Sequence, residues 1–249
     1  MIRAMLALAL AFGTAGPAPA NCWLALALGL DVSQSVDALE YRLQLDGLAN
    51  ALEDAEVQSA IFAYAPVTVR LMIYEWGDAT RQRVLIPWTD IGATEDIAII
   101  TQNLRETTRI SDEERTGLGA AVLFGGRALQ EQYDCWQLTL DVSGDGWNNN
   151  GPNPEDVRTY PDLAGVTVNA LVVGDDSTYA GVSDHRQVEI KELLSYFSTR
   201  VISGPLSFTE AAINFQDFEE AMKRKLLREM ASIAVAKAGP FHTPLPNTQ

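Results

Sequence analysis

Three short polar segments carry the residue types that bind a hard metal ion: Asp31-Val32-Ser33-Gln34-Ser35, Arg115-Thr116-Gly117 and Ser143-Gly144-Asp145-Gly146. Their side chains supply oxygen donors, which Mg²⁺ prefers as carboxylates completed by water. In Asp-x-Ser-x-Ser, a loop leaving a strand can turn every second side chain toward one point. We therefore predict a divalent cation site, with Mg²⁺ expected and Mn²⁺ or Ca²⁺ as alternatives. The predicted ligands are Asp31, Ser33, Ser35, Thr116 and Asp145.

The elements around these segments must bring them together. Apolar or β-branched runs predict strands at residues 23–30, 67–76, 84–88, 136–142, 166–173 and 207–213. Apolar residues at helical spacing predict helices at residues 36–55, 94–107, 118–132, 188–197 and 215–236. This alternation predicts an α/β fold of three layers, with a mostly parallel central sheet, one antiparallel edge hairpin and helices on both faces. Ligands of such sheets bind beyond the carboxyl ends of the strands, where the polar segments stand.

Two helices carry detailed expectations. In the helix at 36–55, Val36, Leu39 and Leu43 are expected on the buried face. In the helix at 94–107, Thr94 is expected to be the N-cap. Residues 148–154 are rich in Asn, Gly and Pro and are expected to be irregular.

The three segments, in this order, resemble the metal-ion-dependent adhesion site (MIDAS) of von Willebrand factor A (vWA) domains. The resemblance covers nearly all of the chain after residue 20, and is greatest to uncharacterised exported bacterial members. It implies a Rossmann-like vWA fold in which Ser33, Ser35 and Thr116 contact the metal, while Asp31 and Asp145 act directly or through water. It also implies that an open coordination position accepts an Asp or Glu carboxylate from a protein or peptide partner.

This sequence departs from the family pattern at two positions. Leu118 stands two residues after the threonine, where the family often has a second hydroxyl, and Gly144 replaces the Thr common before the last Asp. Neither change removes a principal ligand, so the resemblance still implies the same five.

Each ligand hydroxyl also has a simpler interpretation, because Ser33, Ser35 and Thr116 all precede helices and could act as N-caps. Four further polar residues stand near the same edge and could support the ligands or touch a bound partner. For the asparagines and Asp175 the alternative is an ordinary turn. The four are Glu75, Asn148, Asn149 and Asp175.

Two other functions compete with a binding module. A phosphohydrolase of the haloacid dehalogenase type also places an Asp after its first strand and binds Mg²⁺. That chemistry normally needs a second Asp two residues later, where Ser33 stands, and a Lys near a later strand end, which is missing here. A scaffold without metal would leave the carboxylates of Asp31 and Asp145 to repel each other. We therefore predict a module that binds a partner rather than an enzyme.

The ends of the chain predict export. Arg3, the apolar residues 5–12 and the small residues 18–20 are typical of a secretory signal, which leaves one domain at 21–238 and a Pro-containing flexible tail at 239–249. The mature protein is expected in the periplasm or outside the cell, without a transmembrane segment. The net charge of −15 argues against nucleic acid as a partner.

Cys22 and Cys135 are the two cysteines of the chain, and each immediately precedes a predicted strand. If those strands are parallel neighbours, the thiols meet, and an exported protein retains the resulting disulfide. Two buried free thiols are the alternative.

Overall fold

A six-stranded sheet lies in the middle of the computed structural model, which describes residues 22–110, 114–174 and 183–237. The strands are β1 (Cys22–Asp31), β2 (Thr68–Trp76), β3 (Gln82–Ile91), β4 (Leu138–Gly144), β5 (Val166–Val173) and β6 (Thr209–Ala212). Their order is β3-β2-β1-β4-β5-β6. All neighbouring pairs are parallel except β2 with β3, which forms the expected antiparallel edge hairpin.

Helices cover both faces of this sheet. They are α1 (Ala38–Glu53), α2 (Ala55–Ile61), α3 (Thr94–Glu106), α4 (Leu118–Gln130), α5 (Pro154–Val157), α6 (Ser183–Tyr196) and α7 (Phe218–Lys237). Apolar residues of α1, α2, α3 and α7 form one core, and those of α4, α5 and α6 form the other. Every residue of β1 is buried because the strand lies between the two cores. The predicted three-layer α/β fold is confirmed.

The prediction of one helix over residues 36–55 is wrong in two respects: the first helix starts later, and two helices take the place of one. Asp37 is the N-cap of α1, since its carboxylate accepts hydrogen bonds from the backbone of Leu39 at 2.7 Å and Glu40 at 2.8 Å. The helix therefore begins after Val36, and Leu39 is 64% exposed rather than buried. Asp54 then ends α1 and caps α2, which the apolar spacing did not reveal.

Thr94 is not the N-cap of α3, contrary to the sequence prediction. The cap position is Ala93, and the carboxylate of Asp96 reaches back to the backbone amides of Gly92 and Ala93 at 2.9 and 3.0 Å. An acidic side chain in the first turn thus binds backwards to the amides at and before the cap position, as the acidic member of a capping box does. Pro154, placed in the irregular stretch, is the first residue of α5.

Several expectations fall on residues outside the described ranges. These are the signal segment at 1–20, the tail at 239–249 and the side chain of Asp175. Within the ranges that are described, no helix is long and apolar enough to cross a membrane.

A disulfide joins Cys22 at the start of β1 to Cys135 just before β4. The backbones already meet there, because the amide of Trp136 donates to the carbonyl of Cys22 at 3.1 Å. The predicted bridge is confirmed, and it closes a loop with a sequence separation of 113 residues.

We expect the double variant Cys22→Ala/Cys135→Ala to lose about 3 to 5 kcal/mol of unfolding free energy, because the open chain regains the entropy of a long loop. Urea unfolding of the two proteins measures the loss. The reduced parent protein is the control and should match the variant; a variant as stable as the oxidised parent would contradict the expectation.

A charged cluster is buried where α7 packs on the sheet. Lys225 is fully buried, and its Nζ lies 2.8 Å from Oδ1 of Asp141 on β4 and 2.6 Å from Oε1 of Glu229. Asn169 on β5 donates to the same oxygen of Glu229 at 3.0 Å. One ammonium thus faces two carboxylates in the core. Burial, opposed by the charge of Lys225 and reinforced by that of Glu229, raises the pKa of Asp141 to about 7.

This raised pKa predicts a pH-dependent stability. In the unfolded chain Asp141 titrates near pH ~3.9, so between about pH 4 and 7 the folded state holds the extra proton, and stability falls as the pH rises through that window. Asp141→Asn cannot titrate. We therefore compare the unfolding free energy of Asp141→Asn with that of the parent at each pH. We expect the difference, variant minus parent, to be higher at pH 8 than at pH 5 by on the order of 1 to 3 kcal/mol.

Urea unfolding at both pH values tests this expectation, and an identical pH dependence in the two proteins would contradict it. Lys225→Met is the control for the cluster, because it leaves both carboxylates without the ammonium. It should lower the unfolding free energy by about 3 to 5 kcal/mol.

Candidate metal centre

The three polar segments meet at the carboxyl edge of the sheet. Asp31 is the last residue of β1, and Asp145 directly follows the last residue of the neighbouring parallel strand β4. Thr116 stands two residues before the start of α4. Three separate stretches of sequence therefore converge because strand order places β1 beside β4 and α4 packs against both strands.

A chain of hydrogen bonds joins the first loop to the third. The backbone amide of Ser33 donates to Asp31 Oδ1 at 2.8 Å, and the hydroxyls of Ser33 and Ser35 are 3.3 Å apart. The Ser35 hydroxyl donates to Asp145 Oδ1 at 2.7 Å. Direct hydrogen bonds thus join four of the five predicted ligands, Asp31, Ser33, Ser35 and Asp145.

Thr116 is held beside this chain by the loop that follows Asp145. Its amide donates to Asn149 Oδ1 at 2.9 Å, and its carbonyl accepts from the amides of Asn149 and Asn150 at 3.0 and 3.2 Å. Its side chain is close to Gly146, where an added Cβ would lie 3.9 Å from Thr116 Oγ1. The Thr116 side chain therefore lies beside the loop that carries Asp145.

The capping roles considered for the three hydroxyl residues are taken by other groups. Asp37 caps α1, so the hydroxyls of Ser33 and Ser35 do not hold its N-terminus. At α4 the cap position is Gly117, and no side chain makes a cap hydrogen bond there. The hydroxyls of Ser33 and Ser35 instead contact each other, and that of Ser35 also contacts Asp145.

The Asp31 carboxylate is the electrostatic centre of the cluster. Its side chain is buried, and its Oδ2 has no hydrogen-bond partner among the residues that the structure describes. Burial, and next the negative charge of Asp145, raise the pKa of Asp31 well above its usual range, although hydrogen bonds with Ser33 and with the backbone of Asp145 act in the opposite direction. A buried carboxylate beside a second one is unfavourable unless a positive charge compensates both. The donor set and the unpartnered oxygen fit a small divalent cation.

Gly144 leaves room for this carboxylate. A Cβ at position 144 would lie 3.3 Å from Asp31 Oδ2 and 3.3 Å from the ring of Phe197. A larger residue, such as the Thr common at this point of the family pattern, would press on both neighbours in this chain.

The four supporting residues named from the sequence fall into three groups. Asn148 and Asn149 bind the start of α4 and the loop before it, since Asn148 Oδ1 accepts from the amide of Gly119 at 3.0 Å and Asn149 Oδ1 accepts from the amide of Thr116. Glu75 accepts from the Tyr41 hydroxyl at 3.0 Å and from Arg83 at 3.2 Å, which ties β2 to α1 and β3 rather than to the cluster. Asp175 lies outside the described residues.

Two residues that support the site were missed by the sequence analysis. Gln44 of α1 donates to the carbonyl of Asp31 at 2.9 Å and accepts from the Ser143 hydroxyl at 3.0 Å, so it joins the ends of β1 and β4. The sequence feature that could have indicated Gln44 is a polar residue on the apolar face of a predicted helix. Arg109 donates to the carbonyls of Val32, at 3.0 Å, and Val36, and nothing in the local sequence pattern marks it.

No group of three or more His, Cys, Asp or Glu side chains that could hold a metal occurs in the described part of the chain. The cluster at the sheet edge is of another type, because hydroxyls supply most of its donors.

The sequence matches the family described as "Protein of unknown function (DUF1194)" over residues 21–234. The chain belongs to this family. No curated protein matches it.

The fold of this family member is similar to solved structures of vWA type. Proximal thread matrix protein 1 from the mussel byssus, with a zinc-occupied MIDAS motif, has a TM-score of 0.56 and 17% identity, over 84% of this chain and 46% of that one. A von Willebrand factor type A protein from Catenulispora acidiphila has a TM-score of 0.50 and 13% identity, over 84% and 43%.

BatB from Bacteroides thetaiotaomicron, a conserved hypothetical protein, has a TM-score of 0.50 and 16% identity, over 84% of this chain and 99% of that one. The chain spans about half the length of the mussel protein, since it covers 47% of that protein's chain in another crystal structure. At these identities the likeness shows the fold, which is vWA-like.

We expect Asp31→Asn to raise the unfolding free energy in the presence of a chelator, by on the order of 1 kcal/mol, because it removes a buried charge that lies near the half-buried carboxylate of Asp145. Asn keeps the acceptor for the Ser33 amide. Thermal unfolding in EDTA measures the change, and Glu131→Gln, an exposed carboxylate at the far end of α4, should show none. A variant less stable than its parent would argue that the carboxylate is compensated within the protein itself.

Proposed function

We propose that this protein is a metal-dependent binding module, in which a divalent cation held by Asp31, Ser33, Ser35, Thr116 and Asp145 engages a carboxylate of a protein or peptide partner. The observation that carries the proposal is the buried Asp31 carboxylate, whose Oδ2 has no hydrogen-bond partner in the described ranges and which lies in the same cluster as Asp145. A cation there would compensate two negative charges at once.

The chemistry of the donors favours Mg²⁺, with Mn²⁺ and Ca²⁺ as alternatives. Hydroxyl and carboxylate oxygens suit hard cations, and Mg²⁺ accepts a site with few protein carboxylates because it retains water ligands. The bound ion would supply a Lewis-acidic position for an incoming Asp or Glu. The zinc-occupied MIDAS motif of the mussel protein supports a divalent ion on this fold.

A binding role accounts for the site better than phosphoryl transfer. Ser33 occupies the position where that chemistry needs a second acidic group, and its backbone amide binds Asp31. Lys225, the Lys buried in the described part of the chain, contacts Asp141 and Glu229 instead of the cluster. A scaffold without metal is disfavoured, because the Asp31 carboxylate would then be buried near Asp145 without a compensating cation, which costs folding free energy.

Export to the periplasm or beyond the cell is part of the proposal. It rests on the signal-like residues 1–20 and on the Cys22–Cys135 disulfide, which persists in oxidising compartments.

We expect Mg²⁺ or Mn²⁺ to bind the parent protein with one-to-one stoichiometry in calorimetric titrations, and Asp31→Ala and Asp145→Ala each to lower the affinity at least about 100-fold, since each removes a charged ligand. Circular dichroism checks that both variants fold.

Asp156→Ala, an exposed carboxylate of α5, is the matched control and should bind the ion as the parent does. Unchanged binding by both site variants would refute the assignment. A screen for phosphatase activity on the parent addresses the enzyme alternative, and turnover lost in Asp31→Ala would favour that alternative.

A further inference from the structure

The buried charged cluster between α7 and the sheet contains the groups of a reactive site. Lys225, Asp141 and Glu229 are 0%, 2% and 1% exposed, and the ring of Phe208 lies 5.0 Å from Lys225 Nζ. An amine, a carboxyl group and a second carboxylate thus meet where water has little access. Formation of an amide bond between Lys and Asp needs these three groups, as nucleophile, electrophile and base.

The nucleophile and the electrophile are already close together. Lys225 Nζ lies 2.8 Å from Oδ1 of Asp141, so the carboxyl carbon, one bond further on, is within about 4 Å of the nitrogen. Neither oxygen of Asp141 has a hydrogen-bond partner in the described ranges, so no directed hydrogen bond fixes the carboxyl group against rotation. A small rotation brings the carbon to about 3 to 3.5 Å from the nitrogen, the separation from which a bond can form.

Glu229 is positioned as the base. Its Oε1 accepts a hydrogen bond from Lys225 Nζ at 2.6 Å. Asn169 on β5 donates to the same oxygen at 3.0 Å, and Oδ1 of Asn169 accepts from the amide of Phe208 at 3.1 Å. A neutral side chain that is itself bound to the backbone therefore holds the carboxylate toward the nitrogen. Transfer of one proton along the 2.6 Å hydrogen bond gives Lys225 the free electron pair that attack on a carboxyl carbon needs.

The carboxyl group of Asp141 reacts only when it carries a proton, because a carboxylate repels the electron pair of an amine. Burial, which outweighs the opposing charge of Lys225, raises the pKa of Asp141 to about 7. The protonated acid is therefore well populated near neutral pH. Both reacting groups can thus be present in their reactive forms in the folded protein.

We propose that Lys225 and Asp141 form an intramolecular amide (isopeptide) bond after the chain folds. The bond between Nζ and Cγ of Asp141 forms, the bond between Cγ and one Oδ breaks, and Glu229 relays protons from the nitrogen to the departing oxygen. The ammonium, the protonated Asp141 and the carboxylate of Glu229 become a neutral amide, one water molecule and protonated Glu229, so atoms and charge balance. The bond joins α7 to β4 and is independent of the candidate metal centre.

A second lysine on the same helix shows what burial adds. Lys223 Nζ lies 2.9 Å from Asp54 Oδ2 and 3.0 Å from Glu56 Oε2, distances close to those of Lys225. These side chains are 25%, 28% and 71% exposed, so water hydrates their charges. Hydrogen bonds with Asp54 and Glu56 raise the pKa of Lys223, which keeps its amine protonated. We expect no bond there, and Lys223 is the matched control.

Mass spectrometry of the reduced full chain tests the proposal. We expect the parent to weigh one water molecule less than Lys225→Arg, after correction for the substitution itself, and its protease digest to contain a branched peptide that joins the segments of Asp141 and Lys225. Arg keeps the positive charge but stays protonated and cannot attack the carboxyl carbon. Lys223→Arg should lose water as the parent does.

Glu229→Gln tests the role of the base. Gln keeps the size of the side chain and an oxygen acceptor for Lys225 and Asn169, but it does not take up the proton. The parent and the variant are purified unfolded, refolded at pH 7 and sampled over time. We expect the variant to lose water at least about 100-fold more slowly. Circular dichroism checks that Glu229→Gln and Lys225→Arg fold, and equal rates in the parent and Glu229→Gln would overturn the proposed reaction.

Two results for the parent itself would also overturn the proposal. One is a folded chain that keeps its full mass after days at pH 7. The other is a loss of water without a branched peptide, because succinimide formation at Asp46-Gly47 or Asp145-Gly146 gives the same change in mass.

The bond also removes the carboxyl group of Asp141 that titrates. The pH-dependent stability described above therefore belongs to the chain before the reaction, and the linked chain should lack it. The mass is measured on the preparation used for urea unfolding, so that each stability is assigned to the linked or the unlinked form. A linked parent that keeps the full pH dependence would contradict the assignment of the bond to Asp141.

Discussion

The site depends on one electrostatic constraint, the burial of the Asp31 carboxylate in the cluster that contains Asp145. A buried carboxylate near a second, half-buried one is costly in free energy, and a proton or a cation removes that cost. The raised pKa of Asp31 corresponds to the first solution, and the proposed cation would be the second. The same arrangement explains why Gly144 is small, because its neighbour is the unpartnered oxygen.

The loops that carry the donors are fixed by amide side chains. Asn148 and Asn149 bind the backbone before and within the first turn of α4, and Gln44 joins the ends of β1 and β4. Amides suit this work because each offers a donor and an acceptor without adding charge to an already negative centre. Neutral groups thereby hold the backbone of the loops, while the carboxylates and the serine hydroxyls bind one another in the cluster.

The sequence predicted the fold and the convergence of the three segments because both follow from strong local patterns. Continuous apolar runs mark buried strands, and the order of strands and helices places their carboxyl ends at one edge. The starts of α1 and α3 were harder, since several adjacent residues at each start could act as a cap and only the contacts of Asp37 and Asp96 decide among them. The role of Arg109 could not be predicted from local patterns, because its partners, the carbonyls of Val32 and Val36, are more than 70 residues away in sequence. The five metal ligands stay a prediction that the geometry favours.

The disulfide lies at the amino edge of the sheet, yet it has a consequence at the other end of the strands. In a parallel pair, a slip of one residue turns every side chain to the opposite face, and the apolar residues of β1 would remain buried on either face. Apolar burial therefore defines the alignment of β1 with β4 only weakly. The covalent bond at Cys22 removes that ambiguity: in the oxidised chain, β1 and β4 have one alignment, and it brings Asp31 and Asp145 to the same point.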